Sequence, residues 1–392
     1  MDALIPRLQG GHVLLTGRLA RWSVEIEPLE LDVLTEEAAA GFLLARTKAR
    51  RRTTPEDAGL AVALARELGF LPLALEQAGA YIAERRLTLV AYLEEWHSRH
   101  EQVLTWFDPR VSHYPTSVAV TWQTSVERLS APARRLLERL AWLGPEPIPE
   151  SLLDVTAAAK SSVGARLFSR IFRRSQLQDS TKIRRDALVE LATYSLVTRD
   201  GESPAFTVHR LVQDVTRLSL RNGPGSRPMK KTLSEALSWV NAAFVGDPQD
   251  VRAWPTLDPL VPHTRAAVLY ADAAGIADPT ARLMNELAQL LYVKSLLSEA
   301  EPLMRRVVTI FESSLDDHSK AATALNNLAW LLKATNRLSE AEPLMRRALA
   351  IDEKSLGMEY PNVARDLNNL AWLLKSTNRF SEAEPLMRCA LA

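Results

Sequence analysis

The chain has 392 residues, with 48 lysines and arginines against 47 aspartates and glutamates, so no net field draws it to nucleic acid or to an anionic membrane. Its single cysteine, Cys389, can form neither an internal disulfide nor a cysteine metal cluster. No apolar run approaches the roughly 20 residues that span a bilayer, and the opening MDALIPRLQGG lacks a signal-peptide pattern, so the expectation is a cytoplasmic protein of about two to four units.

Val13-Leu14-Leu15-Thr16 is a short apolar run of the kind found in strands buried on both faces of a parallel sheet, and a composition change after Pro28 closes a first segment, 1–28. Residues 29–107 read as helical. They carry a basic run, Lys48, Arg50, Arg51 and Arg52, and the stretch LARELGFLPLALEQAGAYIAE from Leu64 to Glu84. Pro72 there has no amide to donate and a fixed backbone angle, so it suits the first turn of a helix that Leu73 and Ala74 begin. His97 and His100 lie three apart beside Glu94 and Glu95 and offer metal-ligand chemistry, although a solvated helix face is the plainer reading.

A cut around Phe107 to Pro115 precedes a third segment, 116–222. It reads as helices, then a short strand pair around Asp200-Gly201, then another helix, which suggests a winged helix. Arg170, Arg173, Arg174, Arg184 and Arg185 give it a basic run, making a DNA-binding regulator one alternative, with a solvated charged face the commoner meaning. The Gly/Pro/Ser connector at Asn222 to Ser226 leads to divergent helical pairs over 229–283.

From residue 284 the chain repeats itself. LNNLAWLLKATNRLSEAEPLMRRALA begins at Leu325 and recurs at Leu367 with three of 26 positions changed, a period of 42, and a weaker copy begins at Met284. Leu325, Leu328, Ala329 and Leu332 keep helical spacing, Asn336-Arg337 interrupts it, and Ala341, Leu344, Ala348 and Ile351 resume it, so each copy predicts a helical hairpin. Ser-x-x-Glu (Ser298 and Glu301, Ser339 and Glu342, Ser381 and Glu384) predicts a capping box at each second helix, with Pro302, Pro343 and Pro385 in its first turn. Small alanines let the hairpins stack into a solenoid that buries what no single hairpin could. The last hairpin has no closing helix after it, which reads as truncation or as further repeats encoded elsewhere.

The 42-residue period, LNNLA, SEAEPL and the lead-in Tyr360-Pro361-Asn362-Val363-Ala364 are similar to the kinesin light chain subclass of tetratricopeptide repeats. That resemblance implies a peptide or protein ligand on the concave surface, at Asn326, Asn327, Trp330 and Lys333 and at Asn368, Asn369, Trp372 and Lys375. The same residue types equally serve as bridges between repeats and as packing.

GFLPLAL resembles the GLPLAL signature of the NB-ARC class of bacterial STAND signalling ATPases, and HVLLTGRLARW resembles the strand that ends in its sensor motif. The resemblance implies Arg18 near the terminal phosphate, Pro72 against the adenine, and His209, in Thr-Val-His-Arg-Leu-Val-Gln, at the β-phosphate of bound ADP. It makes 1–28 a remnant of the nucleotide-binding domain, 29–107 an ARC-like bundle and 116–222 the winged helix. Gly17, Val208 and Arg210 depart from the family's usual residues.

Neither a glycine-rich loop with Lys and Ser/Thr nor a magnesium-holding acidic residue after a strand occurs in the sequence. The fold expected is thus mostly α, a sheet remnant, bundle, winged helix and α-α solenoid. No catalytic residue, resident metal or bound cofactor is expected. ADP or ATP with magnesium would be held only if another polypeptide supplied the phosphate loop. Self-association is a further possibility, membrane binding is not expected, and a nucleotide-independent repeat adaptor is the other reading.

Overall fold

A computed structural model describes residues 33–49, 51–106, 117, 122, 125–155, 170–222, 228–312, 318–358 and 360–391. The strand expected at Val13 to Thr16, the whole of 1–28 and Arg18 lie outside these residues. So do Arg50, most of the two connectors, and the side chains of Arg170, Arg173 and Arg174. The protein is mostly helical, with one small sheet and a C-terminal region of helical repeats.

Two compact units divide the chain. The first comprises the described residues through Leu137 together with Lys182–Gly201 and Thr207–Leu218. Helix α1 (Glu36–Thr47) starts where the Thr35 hydroxyl accepts from the Ala38 amide at 3.3 Å, with Glu36 and Glu37 in the first turn to meet the positive helix end. Helix α2 (Asp57–Glu67) ends in two left-handed residues, Gly69 at φ 61° and Phe70 at φ 57°. The Phe70 amide reaches back to Ala65 at 3.0 Å, which closes the helix and turns the chain sharply. Helix α3 (Pro72–Arg85) then begins at Pro72, as its missing amide predicts, and α4 (Leu89–Ser98) and α5 (His100–Thr105) follow.

Every residue of α3 from Ala74 to Ala83 is buried, so α3 is the central helix of this unit. Its core gathers Leu43, Leu64, Leu75, Ile82, Leu89 and Tyr92, together with Leu211 and Val215. Burying so much helix surface also buries Glu76, and the Arg46 guanidinium meets its carboxylate in a bidentate pair at 3.0 to 3.1 Å. Gly79 makes this crossing possible, because a Cβ there would stand 2.6 Å from Arg46 Cγ.

Helices α6 (Ala131–Leu140), α7 (Arg170–Thr193) and α8 (Arg210–Asn222) alternate along the chain with the strands of a three-stranded sheet. Its strands are β1 (Ile148–Pro149), β2 (Val197–Arg199) and β3 (Ala205–Val208), in the order β1-β3-β2, with Ile148 opposite Phe206 in an antiparallel pair. The strands β2 and β3 flank Asp200-Gly201, where the sequence predicts a strand pair.

In the second unit, α9 (Met229–Ala243) is fixed by two indoles. Trp142 Nε1 donates to Thr232 Oγ1 at 3.2 Å and Trp239 Nε1 donates to the Leu152 carbonyl at 2.8 Å. Helix α10 (Val261–Ala273) leads to three hairpins: α11 (Thr280–Val293) with α12 (Leu297–Glu312), α13 (His318–Ala334) with α14 (Leu338–Leu356), and α15 (Pro361–Ser376) with α16 (Phe380–Leu391). Each hairpin turns on one left-handed residue, Ser295, Asn336 and Asn378. Asparagine tolerates that conformation better than most residues, and the next amide closes the first helix, Arg337 to Leu332 at 2.8 Å and Arg379 to Leu374 at 2.9 Å.

This turn overrides the capping box that the sequence predicts. Helix α14 starts at Leu338 with Arg337 at its cap and no side-chain cap bond, which places Pro343 in the second turn. The expected capping glutamates face arginines instead: Glu301 accepts from Arg337 and Glu342 from Arg379, each at 2.7 Å across successive hairpins, while Glu384 pairs with Arg388 one turn on in its own helix. Charged guanidinium donors make the stronger bond, so Glu301 and Glu342 tie hairpins together instead of capping their own helices.

Candidate functional site

In the first unit the α2–α3 turn and the start of α8 meet. His209 Nε2 lies 3.1 Å from the Gly69 carbonyl, three residues before Pro72, and the Leu211 amide donates to His209 Nδ1 at 3.2 Å. A ring nitrogen that accepts an amide carries no proton, so Nε2 is the N–H and donates to Gly69. Burial holds the imidazole below the usual histidine range, against the opposing pull of the Gly69 carbonyl and Asp214. The ring is therefore neutral, with both nitrogens engaged. Beside it Arg210 pairs with Glu67 at 2.8 Å, and Trp122 lies 5.9 Å away centre to centre.

The fit is tight. Gly69 needs its left-handed angle, and a Cβ at that position would fall 2.2 Å from His209 Nε2. Leu211 and Val215 bury α8 in the α1–α4 core and so aim His209 at the turn. Pro72 is exposed at the head of α3. The structure thus brings His209 to the same turn as Pro72, residues that are over a hundred apart in sequence.

Three other sequence candidates have structural partners. Arg51, from the first basic run, is buried and donates to Asp57 Oδ2 at 2.6 Å. Burial alone would raise the Asp57 carboxyl, yet the bonds from Arg51 and Thr54 outweigh it and hold the group below its ordinary range. Such a cation is not available to a nucleic acid. Glu95 accepts the Tyr81 hydroxyl at 2.6 Å, and His97 faces Glu67 at 3.9 Å.

In the repeats the eight residues expected to face a ligand separate into two groups. Asn326 and Asn369 are buried, and Asn326 Nδ2 donates to Asp366 at 2.7 Å. Asn327 Nδ2 donates to Asn285 at 2.9 Å. The amides of Asn326 and Asn327 are thus turned toward other helices of the stack, and Asn369 is buried. The lysine and tryptophan positions differ. Lys333 Nζ sits 4.3 Å over the Trp330 ring and Lys375 Nζ 5.0 Å over Trp372, a repeated cation-π pair, with Asn368, Trp372 and Lys375 exposed. Burial keeps the Lys333 ammonium below its ordinary range.

Sequence reasoning missed two features here. A cavity of about 330 Å³ opens beside the first repeat, with an apolar wall of Ala281, Ile310, Phe311 and Ala324 and with Arg282 and Lys320 among its polar lining. Its signal is faint because the first copy of the repeat is the most diverged. Asp352 and Asp366 are fully buried carboxylates. Asp366 stands where the preceding repeat has Ala324, but the neighbouring positions differ as well, so the change does not stand out.

The tetratricopeptide repeat family matches residues 279–354 and 340–392, and a domain of unknown function, DUF7779, matches 124–223. No curated protein matches the chain. Among solved structures, BtubC from P. vanneervenii is 21% identical over 46% of this chain and 78% of its own, at a TM-score of 0.32. A putative kinesin light chain with nearly identical TPR-like repeats from Podosopora anserina is 18% identical over 56% of this chain and 88% of its own, at 0.30. A STAND protein with a tetratricopeptide repeat sensor from Pyrococcus horikoshii is 13% identical over 91% of this chain and 59% of its own, at 0.19.

Proposed function

We propose that the chain is the ligand-sensing and protein-interaction part of a STAND-type switch, in which the repeats bind a protein or peptide partner. The observation that carries this reading is the repeated Trp-Lys pair, Trp330 with Lys333 and Trp372 with Lys375, on the first helices of successive hairpins. Aromatic faces and ammonium groups displayed at a fixed interval suit an extended acidic or aromatic segment, whose docking gains from every repeat it crosses. A photo-crosslinking amino acid at Trp372 in the full chain tests it. A partner should be captured there and at Trp330, but not at exposed Thr309 on a second helix. Equal capture at all three positions would end the proposal.

The second part of the reading concerns nucleotide. By itself the polypeptide hydrolyses no ATP, for want of a phosphate-binding loop, and a nucleotide would reach His209 only if a second polypeptide supplied that loop and the imidazole released Gly69. The neutral, doubly bonded His209 supports a closed latch between α8 and the α2–α3 turn. Fluorescent ADP should show no saturable binding to the full chain alone. A nucleotide-independent adaptor is the competing reading, favoured by the engagement of both His209 nitrogens. It requires that partner affinity stay the same with ADP or ATP even after a phosphate-loop polypeptide is added.

A further inference from the structure

Where α13, α14 and α15 meet, three side chains place four oxygens out of reach of solvent and of any donor: Asn326 Oδ1, both oxygens of Asp352, and Asp366 Oδ2. Asp352 and Asp366 are both 0% exposed. Among the described residues the donors that reach the pair serve one oxygen, Asp366 Oδ1, which accepts from Asn326 Nδ2 at 2.7 Å and from Arg365 at 3.2 Å. Arg365 lies 3.8 Å from Asp352 Oδ2.

The charges do not balance. Two carboxylates face one guanidinium, and that guanidinium is 43% exposed, so water screens much of its field. A buried carboxylate without a donor is costly enough that it takes up a proton before it stays ionised. Both carboxyls lie against the same guanidinium, Arg365 at 3.8 Å from Asp352 and at 3.2 Å from Asp366, and Asp366 is the side chain whose hydrogen bonding bears on Asp352. The charged and titratable groups that reach the site are Asp352 from α14 and Arg365 and Asp366 from α15, while α13 contributes the neutral Asn326.

We propose that the second and third repeats are joined by a shared proton, so that the hairpin α15–α16 is held closed when one proton lies between Asp352 and Asp366 and loosens when it leaves. Burial raises Asp366 to about 6, against the lowering effect of Arg365 and with Asp352 adding to the rise, and burial raises Asp352 as well. For an acid raised in the folded state, the folded form holds more protons than the open one, so stability falls as pH rises from the open-state value of 3.8 toward about 6. The joint is thus tightest on the acid side of neutrality, the reverse of an ordinary ion-paired carboxylate. Helix α15 carries Trp372 and Lys375, so the proton controls how firmly that ligand-facing pair is held.

Hydrogen exchange on the full chain tests this, with rates corrected for the intrinsic effect of pH. Amides Leu370 to Leu374 should open on the order of tenfold more often at about pH 8 than at about pH 5. Amides Leu287 to Leu291 in the first repeat should show no such change. Asp366→Asn should flatten the dependence and protect α15 at about pH 8, and Asp352→Asn should do the same should the first variant fail to fold. The proposal is overturned if the first repeat shows the same pH response, or if either folded variant retains it. Restoration of the protection at about pH 8 by millimolar calcium chloride would also overturn it, since a metal ion would then be the neutralising group.

Discussion

Buried charge is handled in opposite ways in the two units. Among the described residues of the first unit the buried carboxylates meet fixed guanidiniums, Glu76 with Arg46 and Asp57 with Arg51. In the repeats, Asp352 and Asp366 share one half-exposed arginine and are left with donorless oxygens. A satisfied pair is a permanent part of its core, because opening it strands a charge in a dry interior. An unsatisfied pair is conditional on what arrives from solvent.

The sharpest way to break the comparison is to remove a partner from the first unit. Arg46→Ala should strand Glu76 and cost about 3 to 5 kcal/mol, seen as a lower urea midpoint by the fluorescence of Trp96 and Trp106. A smaller loss, about 1 to 3 kcal/mol, is expected for Gly69→Ala, which forces a side chain into a left-handed position against His209. Adding His209→Ala should recover the steric part of that loss and leave the backbone part, so thermal melts of the double variant separate the two.

The acid responses of two aspartates should then have opposite signs. Asp57 is held below its ordinary value, so its contribution is present above 3.8 and lost as pH falls through the folded-state value. Asp366 is raised, so over the window from 3.8 to about 6 its joint strengthens as pH falls. Exchange measured separately on α2 and on α15 should show α15 protection rising as pH falls from about 6 to 3.8, and α2 protection falling only below 3.8. Arg51→Gln should remove the first response alone. The least effect is expected for Trp372→Ala, within about 0.5 kcal/mol of stability because the ring is 48% exposed, while crosslinked capture of a partner at neighbouring positions falls away.

Much of the repeat region could be read in advance because two copies of one 26-residue stretch fix its period, and the polar Asn336-Arg337 marked the turn. Its helix starts could not. The preference of Ser339 for a cap is a local tendency, and it gave way to a left-handed turn and to arginines that sit 36 or 37 residues from the glutamates they bind. Pro72 at a helix start was legible from one residue's chemistry. The contact between His209 and Gly69 spans 140 residues and has no local signature, so only a family resemblance pointed to that neighbourhood. The aspartate joint lies just ahead of the repeated stretch, where Asp366 replaces Ala324 among several other differences. Its meaning depended on burial, which a period alone does not reveal.

The arginines at the hairpin turns also have a mechanical consequence. Arg337 grips Glu301 behind it and Glu340 within its own hairpin, and Arg379 repeats the arrangement one unit on with Glu342 and Glu382. The second and third hairpins are therefore each latched to the one before by a separate clasp. Under tension applied at the C-terminal end, the clasps load in series and the hairpins should peel away in order, giving stepwise extension whose step forces soften as salt is added.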